Sequence, residues 1–333
     1  MTAGVVPATA AAIARAVALL QAGDLVAFPT ETVYGLGADA GNAEAVRAIF
    51  AAKGRPADHP VIVHAADSDC LSTWVRDIPD GARRLAAAFW PGPLTLILPR
   101  AAHVTDAVTG GQDSVGLRVP SHPVARDLLR AFAAAGGTGI AAPSANRFGR
   151  ISPTTAQHVA DDLAQRVALI LDGGPCAVGI ESTIVAFAGD EATLLRPGGV
   201  PATAIARVLG HLLRAPGEGA PRASGTLASH YAPRTPSRLV DAQALLHEAQ
   251  ASIGPVAVLA RTVAPPATQR GHGWIAAPRD AEGYAHGLYA HLRALDACRA
   301  AVILIEAVPD EAGWQAVRDR LSRATRGDDD DRD

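Results

Sequence analysis

The sequence predicts an α/β protein with a large twisted-sheet domain and a second, smaller Rossmann-like α/β domain. Over the first 210 residues, short apolar runs typical of strands alternate with stretches of helical spacing. The alternation stops in a stretch rich in proline and glycine and then resumes. At 333 residues, the chain also exceeds the roughly 100–200 residues usual for one domain.

These patterns divide the chain into four parts. We predict the large domain over 1–210 and the small domain over 238–326. Between them, 211–237 is predicted to be a linker, because proline and glycine accumulate where periodicity fails, and long loops of this kind often act as lids. The acidic tail 327–333 is predicted to be disordered.

Each element of the large domain follows from its local pattern. A helix is predicted over Pro7–Gln21, with Thr9 as a possible N-cap. A second helix is predicted over Ala43–Lys53, and Gly54 is expected to end it. The other predicted helices are Pro79–Phe89, Pro123–Ala135, Thr154–Gln165 and Pro201–Leu209. The predicted strands are Leu25–Phe28, Val61–His64, Leu94–Leu98, Val115–Val119, Gly139–Ala142, Ala168–Leu171 and Ser182–Phe187.

The small domain is predicted from two continuous apolar runs. Pro255–Ala260 and Ala301–Ala307 have the composition of strands buried in a parallel sheet. Helical spacing covers Ala281–Arg299 and Glu311–Ala324. Strands and helices in this order are typical of a small Rossmann-like unit.

Composition excludes several classes of protein. No run approaches the roughly 18 apolar residues that a membrane span needs, and no secretory leader is apparent. The cysteines Cys70, Cys176 and Cys298 are odd in number and far apart, which argues against a disulfide framework and a zinc knuckle. We therefore predict a cytoplasmic protein without a bound metal centre. A net charge of −3 gives no global reason to expect nucleic-acid binding.

Lys53 is the single lysine, since lysine and arginine together number 30 and 29 of these are arginine. A compact ammonium enters a tight phosphate site where a planar guanidinium does not fit. The alternative is an isolated lysine on a solvated helix end. Lys53 and Arg55 flank Gly54 at the predicted helix end, so both cations are candidates for a polyphosphate site or for an ordinary charged helix terminus.

Five further segments place polar residues beside predicted strands. The stretch 28–37, Phe-Pro-Thr-Glu-Thr-Val-Tyr-Gly-Leu-Gly, follows a strand where α/β sheets bind ligands, although it also suits a plain turn. Arg118 lies on a strand and needs an anionic partner if it is buried; the alternative is an edge-strand arginine facing solvent. Hydroxyl groups and arginines follow other strands in the segments 141–154, 179–185 and 195–199.

Taken in order, these segments resemble the YrdC-type domain. The element Ser229-His230-Tyr231-Ala232-Pro233 in the linker makes the whole chain similar to the two-domain L-threonylcarbamoyladenylate synthases. This resemblance implies that L-threonine, bicarbonate and ATP, with Mg²⁺, give L-threonylcarbamoyladenylate and pyrophosphate. The product would serve threonylcarbamoylation of adenosine in tRNA by downstream threonylcarbamoyl-transferase proteins, with at most a weak contact between this chain and tRNA.

The resemblance also implies a set of site residues. Lys53 and Arg55 would be catalytic, with Lys53 beside the phosphates. The residues that would hold threonine are Thr32, His64, Arg118, the backbone at Ala142, and Ser182. Those that would hold ATP are Arg55, His59, Ser114, Ser144, Ser152, Arg196 and Tyr231.

Two other functions compete with this one. An RNA-binding module of the same fold would bind through phosphate contacts and show a steep salt dependence. The related unit of hydrogenase-maturation carbamoyltransferases occurs in longer chains with C-x-x-C zinc fingers, which this sequence lacks. Neither a G-x-S-x-G elbow nor an H-E-x-x-H pair is present in the sequence, so triad hydrolysis and zinc catalysis have no support.

Overall fold

The computed structural model describes residues 4–252, 254–266 and 273–326, which form two compact units. Among the described residues, the first unit comprises 4–148, Pro153–Ala177 and Glu181–Thr226, and the second comprises Gly149–Ser152, Val178–Ile180 and the part from Leu227 onwards. The division falls within the predicted linker 211–237, so that its residues up to Thr226 belong to the first unit. The predicted acidic tail 327–333 lies outside the described residues.

The first unit is built on a mixed sheet that has ten strands among the described residues. These strands are β1 (Val5–Pro7), β2 (Val26–Phe28), β3 (Gly35–Asp39), β4 (Ile62–His64), β5 (Leu94–Pro99), β6 (Ser114–Arg118), β7 (Ile140–Ala141), β8 (Leu169–Asp172), β9 (Thr183–Ala188) and β10 (Glu191–Arg196). Their order across the sheet is β1-β8-β2-β3-β7-β4-β6-β5-β9-β10. The strands β4 and β6 pair in parallel, whereas β7 runs antiparallel to both β3 and β4.

Helices of the first unit connect these strands. They are α1 (Ala10–Gln21), α2 (Ala43–Lys53), α3 (Leu71–Trp74), α4 (Asp80–Phe89), α5 (Asp106–Thr109), α6 (Pro123–Ala134), α7 (Ala156–Leu163) and α8 (Ala202–Leu209). Local chemistry sets their ends. The Asn42 side chain caps α2 by accepting from two backbone N–H groups, and Gly54 ends it in the left-handed conformation. The helix bounds predicted for Ala43–Lys53 are therefore confirmed.

Both faces of the sheet are covered with apolar side chains. Val26 and Phe28 of β2 pack in one cluster with residues of α1 and α6. Ala27, between them, belongs to a second cluster that includes residues of α2, α4 and α7. Because successive side chains of a strand point to opposite faces, this alternation shows that the sheet is buried on both sides.

Five of the described strands were not predicted: Val5–Pro7, Gly35–Asp39, Glu191–Arg196, Ser237–Val240 and Gly273–Ala276. The start of the predicted helix Pro7–Gln21 is wrong, since Val5–Pro7 pairs with β8 and the helix begins at Ala10, after the Thr9 cap. The stretch Gly35–Asp39 is strand β3. A Cβ on Gly37 would lie 2.8 Å from the Phe28 ring and 2.9 Å from Ile140. Glycine at this position therefore permits close packing of neighbouring strands.

The second unit has a four-stranded parallel sheet in the order β11-β14-β12-β13 among the described residues. Its strands are β11 (Ser237–Val240), β12 (Val256–Ala260), β13 (Gly273–Ala276) and β14 (Val302–Glu306). Its helices are α9 (Ala242–Ala251), α10 (Ala281–Ala297) and α11 (Gln315–Ala324). The predicted fold class, with a large twisted sheet and a smaller Rossmann-like unit, is confirmed. None of the described helices is long and apolar enough to cross a membrane.

Candidate active site

The turn after β2 orients three polar side chains of the first unit. The Thr30 hydroxyl accepts from the backbone N–H of Thr32 and of Val33, each at 3.2 Å, and donates to the Val33 carbonyl at 2.6 Å. It is also hydrogen-bonded to the Thr32 hydroxyl at 2.8 Å. A threonine that bonds its own turn in this way fixes the local backbone. Glu31 and Thr32 are thereby held in a buried position.

Arg118, at the end of β6, is buried and surrounded by this turn. Its Nη1 donates to the Thr32 hydroxyl at 2.8 Å, and its Nη2 lies 2.8 Å from Glu31 Oε1. Its Nε makes a longer contact, 3.3 Å, with the Gly92 carbonyl. The anionic partner that the sequence required for a buried Arg118 is thus Glu31, and the solvent-facing alternative is wrong.

The parallel pairing of β4 with β6 sets His64 directly beside Arg118. Burial and the neighbouring guanidinium lower the pKa of His64 to about 3, so its imidazole is neutral. The Ala142 backbone N–H donates to the Ile62 carbonyl of β4 at 3.0 Å. Three of the residues expected to bind threonine, Thr32, His64 and Arg118, therefore lie together. Ala142 lies beside Ile62, two residues before His64 on β4.

Ser182 connects this region to Arg196. The Ser182 hydroxyl lies 2.8 Å from the Thr95 hydroxyl of β5 and accepts from Arg196 Nη2 at 3.2 Å. Arg196, at the end of β10, also donates from Nε and Nη2 to the Ser182 carbonyl, at 3.1 and 2.9 Å. The guanidinium is therefore fixed in orientation before any ligand arrives. This rigidity suits an arginine that must align a phosphate.

Lys53 is buried at the end of α2. Its ammonium donates to the backbone carbonyls of Ser144 and Asn146 at 2.5 and 2.6 Å. Burial and the nearby Arg55 cation lower the pKa of Lys53 well below its usual value. The interpretation of Lys53 as a lysine on a solvated helix end is therefore wrong. The two hydrogen bonds of Lys53 hold the loop after β7, and its role towards the phosphates stays a prediction.

Arg55 and Arg196 are both joined to a strap, defined as the segment Arg222–Ser224. Arg55 Nη2 donates to the Ser224 hydroxyl at 3.1 Å, and Arg196 Nη1 donates to the Ser224 carbonyl at 2.6 Å. The Gln112 side chain binds the strap backbone, donating to the Arg222 carbonyl at 3.1 Å and accepting its N–H at 2.6 Å. Part of the predicted linker therefore lies across two residues expected to bind ATP.

His59 and Ser114 lie at the opposite end of the β4–β6 pair. Ser114 begins β6, about 13 Å along the strand from Arg118 at 3.3 Å per residue. The His59 ring packs edge-on against Phe148 with centroids 5.7 Å apart. Burial and Arg55 lower the pKa of His59. The same strand pair thus separates two expected ATP-binding residues from two expected threonine-binding residues.

Two expected ATP-binding residues, Ser152 and Tyr231, belong to the second unit. Tyr231 is a non-glycine residue with a left-handed backbone, φ 62°. Its buried ring stacks on Tyr289 with centroids 5.6 Å apart, and the Arg320 guanidinium lies 5.2 Å from its centre. A left-handed conformation is costly for a tyrosine, so these contacts must hold it in place. The role of Tyr231 towards ATP stays a prediction.

Comparisons with known proteins cover both units. Residues 18–198 match the family Sua5_yciO_yrdC, described as telomere recombination. Residues 200–325 match the family described as threonylcarbamoyl-AMP synthase, C-terminal domain. A Bacillus subtilis relative named threonylcarbamoyl-AMP synthase is 41% identical over 95% of this chain and 93% of its own length. The chain belongs to the threonylcarbamoyl-AMP synthase family. The suspected family resemblance and the prediction of an enzyme of this kind are confirmed.

Solved structures agree with the assignment to the threonylcarbamoyl-AMP synthase family. The crystal structure of Pyrococcus abyssi Sua5 complexed with L-threonine matches with a TM-score of 0.85 at 36% identity. The match covers 94% of this chain and 94% of that one. A second structure, of a doubly substituted variant of P. abyssi Sua5, has the same TM-score of 0.85 at 35% identity and covers 94% of this chain and 92% of that one.

Sequence reasoning missed several residues of this candidate site. Glu31 stood inside a motif that had been singled out, and the need of Arg118 for an anion was the signal that pointed to it. The backbone carbonyl of Asn146 accepts a hydrogen bond from Lys53. Because every residue has a backbone carbonyl, the sequence does not indicate which one makes this contact. The contacts of Thr95 with Ser182 and of Ser224 with Arg55 join residues 87 and 169 positions apart, and no local pattern reveals such pairs.

Proposed function

We propose that this chain is a nucleotidyltransferase that forms L-threonylcarbamoyladenylate and pyrophosphate from L-threonine, bicarbonate and ATP. The observation that carries the proposal is the arrangement of Arg118 and Arg196 within one unit. Arg118 donates to Thr32 at the end of β6, and β6 pairs with β5. The Thr95 hydroxyl of β5 lies 2.8 Å from the Ser182 hydroxyl, which accepts from Arg196. A site that binds an amino acid beside a fixed phosphate-binding cation has the components that this reaction needs.

The chemistry of the residues supports the reaction. N-carboxy-threonine is an anion, so its attack on the α-phosphorus needs charge neutralisation and alignment more than a strong base. Lys53, Arg55 and Arg196 are cations held by hydrogen bonds to backbone carbonyls. Groups fixed in this way need little reorganisation when charge develops on the phosphates. Arg118 has the planar fork that grips a carboxylate.

Mg²⁺ enters this proposal with ATP. It binds mainly through substrate phosphates and water and needs few protein ligands. Lys53 and Arg55 present hydrogen-bond donors, which fit a metal-bound polyphosphate as substrate. Under this proposal, Mg²⁺ would neutralise phosphate charge, while Lys53, Arg55 and Arg196 would orient the same group.

The biological setting follows from the family. We propose that the product is consumed by downstream threonylcarbamoyl-transferase proteins that modify adenosine in tRNA. The reaction would take place in the cytoplasm, as the cysteine content predicts. The alternative of an RNA-binding module without adenylate synthesis predicts tight RNA binding that weakens steeply with salt and no pyrophosphate release.

The test is product formation by the full chain. Pyrophosphate release should require L-threonine and bicarbonate together, because the carbamate must form before it attacks ATP. Mass spectrometry should then detect threonylcarbamoyladenylate. The Arg76→Lys variant, which changes an exposed ion pair, should form the same product at the wild-type rate. Equal pyrophosphate release with bicarbonate rigorously removed would point to simple amino-acid adenylation.

A further inference from the structure

Glu31 is a buried carboxylate in the middle of the region assigned to the amino acid. Only 5% of the residue is exposed. Neither of its carboxylate oxygens has a hydrogen-bond partner of good geometry among the described residues, although Arg118 and the backbone N–H groups of Glu31 and Ser121 lie close enough to lower its pKa. Its Oε1 lies 2.8 Å from Arg118 Nη2, but that contact lacks the directed geometry of a hydrogen bond. The pair is therefore mainly electrostatic, and the carboxylate keeps its capacity to accept.

A simple counter-ion would be arranged differently. Arginine and carboxylate groups that serve only each other commonly form two parallel hydrogen bonds. Here Arg118 turns Nη1 to the Thr32 hydroxyl, and only Nη2 approaches Glu31. A buried carboxylate without well-directed donors costs free energy that a ligand with N–H groups recovers. Burial by itself would raise the pKa of the Glu31 carboxyl group. The Arg118 guanidinium and the nearby backbone N–H groups of Glu31 and Ser121 lower this pKa by more, so the carboxyl group is anionic at neutral pH.

The two charged groups match an α-amino acid. An amino acid carries its carboxylate and its nitrogen on one carbon, and Arg118 and Glu31 present a cation and an anion 2.8 Å apart. We propose that Glu31 accepts the N–H groups of the amino acid while Arg118 holds the α-carboxylate. Glu31 would then select α-amino acids and position the nitrogen that becomes carboxylated. This inference rests on the proposed function.

The test compares two ligands by calorimetry without ATP. L-Threonine carries the nitrogen, and (R)-3-hydroxybutanoate has the same skeleton without it. Glu31→Gln should weaken threonine binding about tenfold or more, since a hydrogen bond to a charged group is lost. Binding of (R)-3-hydroxybutanoate should stay within about twofold of the wild type or become tighter, because its carboxylate needs only Arg118.

Controls separate the possible outcomes. Glu44→Gln, at an exposed position in α2, should change neither affinity. If Glu31→Gln fails to fold by circular dichroism, Glu31→Asp keeps the charge beside Arg118 but withdraws the oxygens, and the same selective loss of threonine binding is expected. An equal change for both ligands would show that Glu31 is only a counter-ion, with the proposed function intact. Wild-type protein that binds no threonine would overturn both proposals.

Discussion

Replacing Lys53 by arginine tests whether this site needs an ammonium or only a positive charge. The Lys53 ammonium fits between the carbonyls of Ser144 and Asn146, at 2.5 and 2.6 Å, with 5% of the residue exposed. A guanidinium is broader and planar, and it presents its donors as a fork. It therefore cannot take the place of the ammonium unless the loop that carries both carbonyls moves.

The size of the effect follows from this geometry. Forcing extra volume into a packed site costs about 1–3 kcal/mol. A displacement of about 1 Å in a catalytic site can lower the rate by up to about 100-fold. We expect Lys53→Arg to lower turnover at least about tenfold, equivalent to about 1.4 kcal/mol of lost transition-state stabilisation. The melting temperature should fall by a few degrees, since about 1 kcal/mol corresponds to roughly 2–4 °C in a unit of this size.

The assay is steady-state pyrophosphate release, with thermal unfolding measured on the same preparations. Arg47→Lys is the matched control, because it makes the reverse exchange at an exposed position on the same helix, and it should change neither quantity. Wild-type turnover in a folded Lys53→Arg variant would refute the reasoning, since it would show that any cation suffices.

Two further predictions concern the threonine side of the site. Thr95→Val removes the buried hydroxyl that bonds Ser182, so the free energy of unfolding should drop by about 1 kcal/mol. The double variant with Ser182→Ala should cost less than the sum of the two single changes, whereas strict additivity would show no coupling. The pKa of His64 is about 3 in the folded chain and 6.5 in the reference state, so the unfolded state takes up a proton first as the pH falls. Stability should therefore decline from pH 6.5 towards pH 3, and less steeply in His64→Gln; identical slopes in a urea-unfolding series would contradict this assignment.

Much of the site lay within motifs that the sequence already marked. Lys53 stood out as the single lysine, and Arg118 stood out as a charge on a strand. The chemistry of these two side chains could be predicted because it depends on residue type. Their hydrogen-bond and ion-pair partners could not be predicted, because the packing of the chain determines which backbone carbonyl or distant carboxylate lies beside them. The structure shows Lys53 holding a loop, and it shows Arg118 paired with Glu31.

The sequence by itself determined the elements whose ends are set locally. Helix α2 begins at its Asn42 cap and ends at Gly54, and β12 and β14 are apolar runs long enough to be recognised alone. Only the tertiary structure decided which strands are neighbours, that Gly35–Asp39 is a strand, and that Ser224 lies on Arg55. The physical reason is distance along the chain: caps and periodicity act over a few residues, whereas strand pairing and buried ion pairs are settled by the close packing of remote segments.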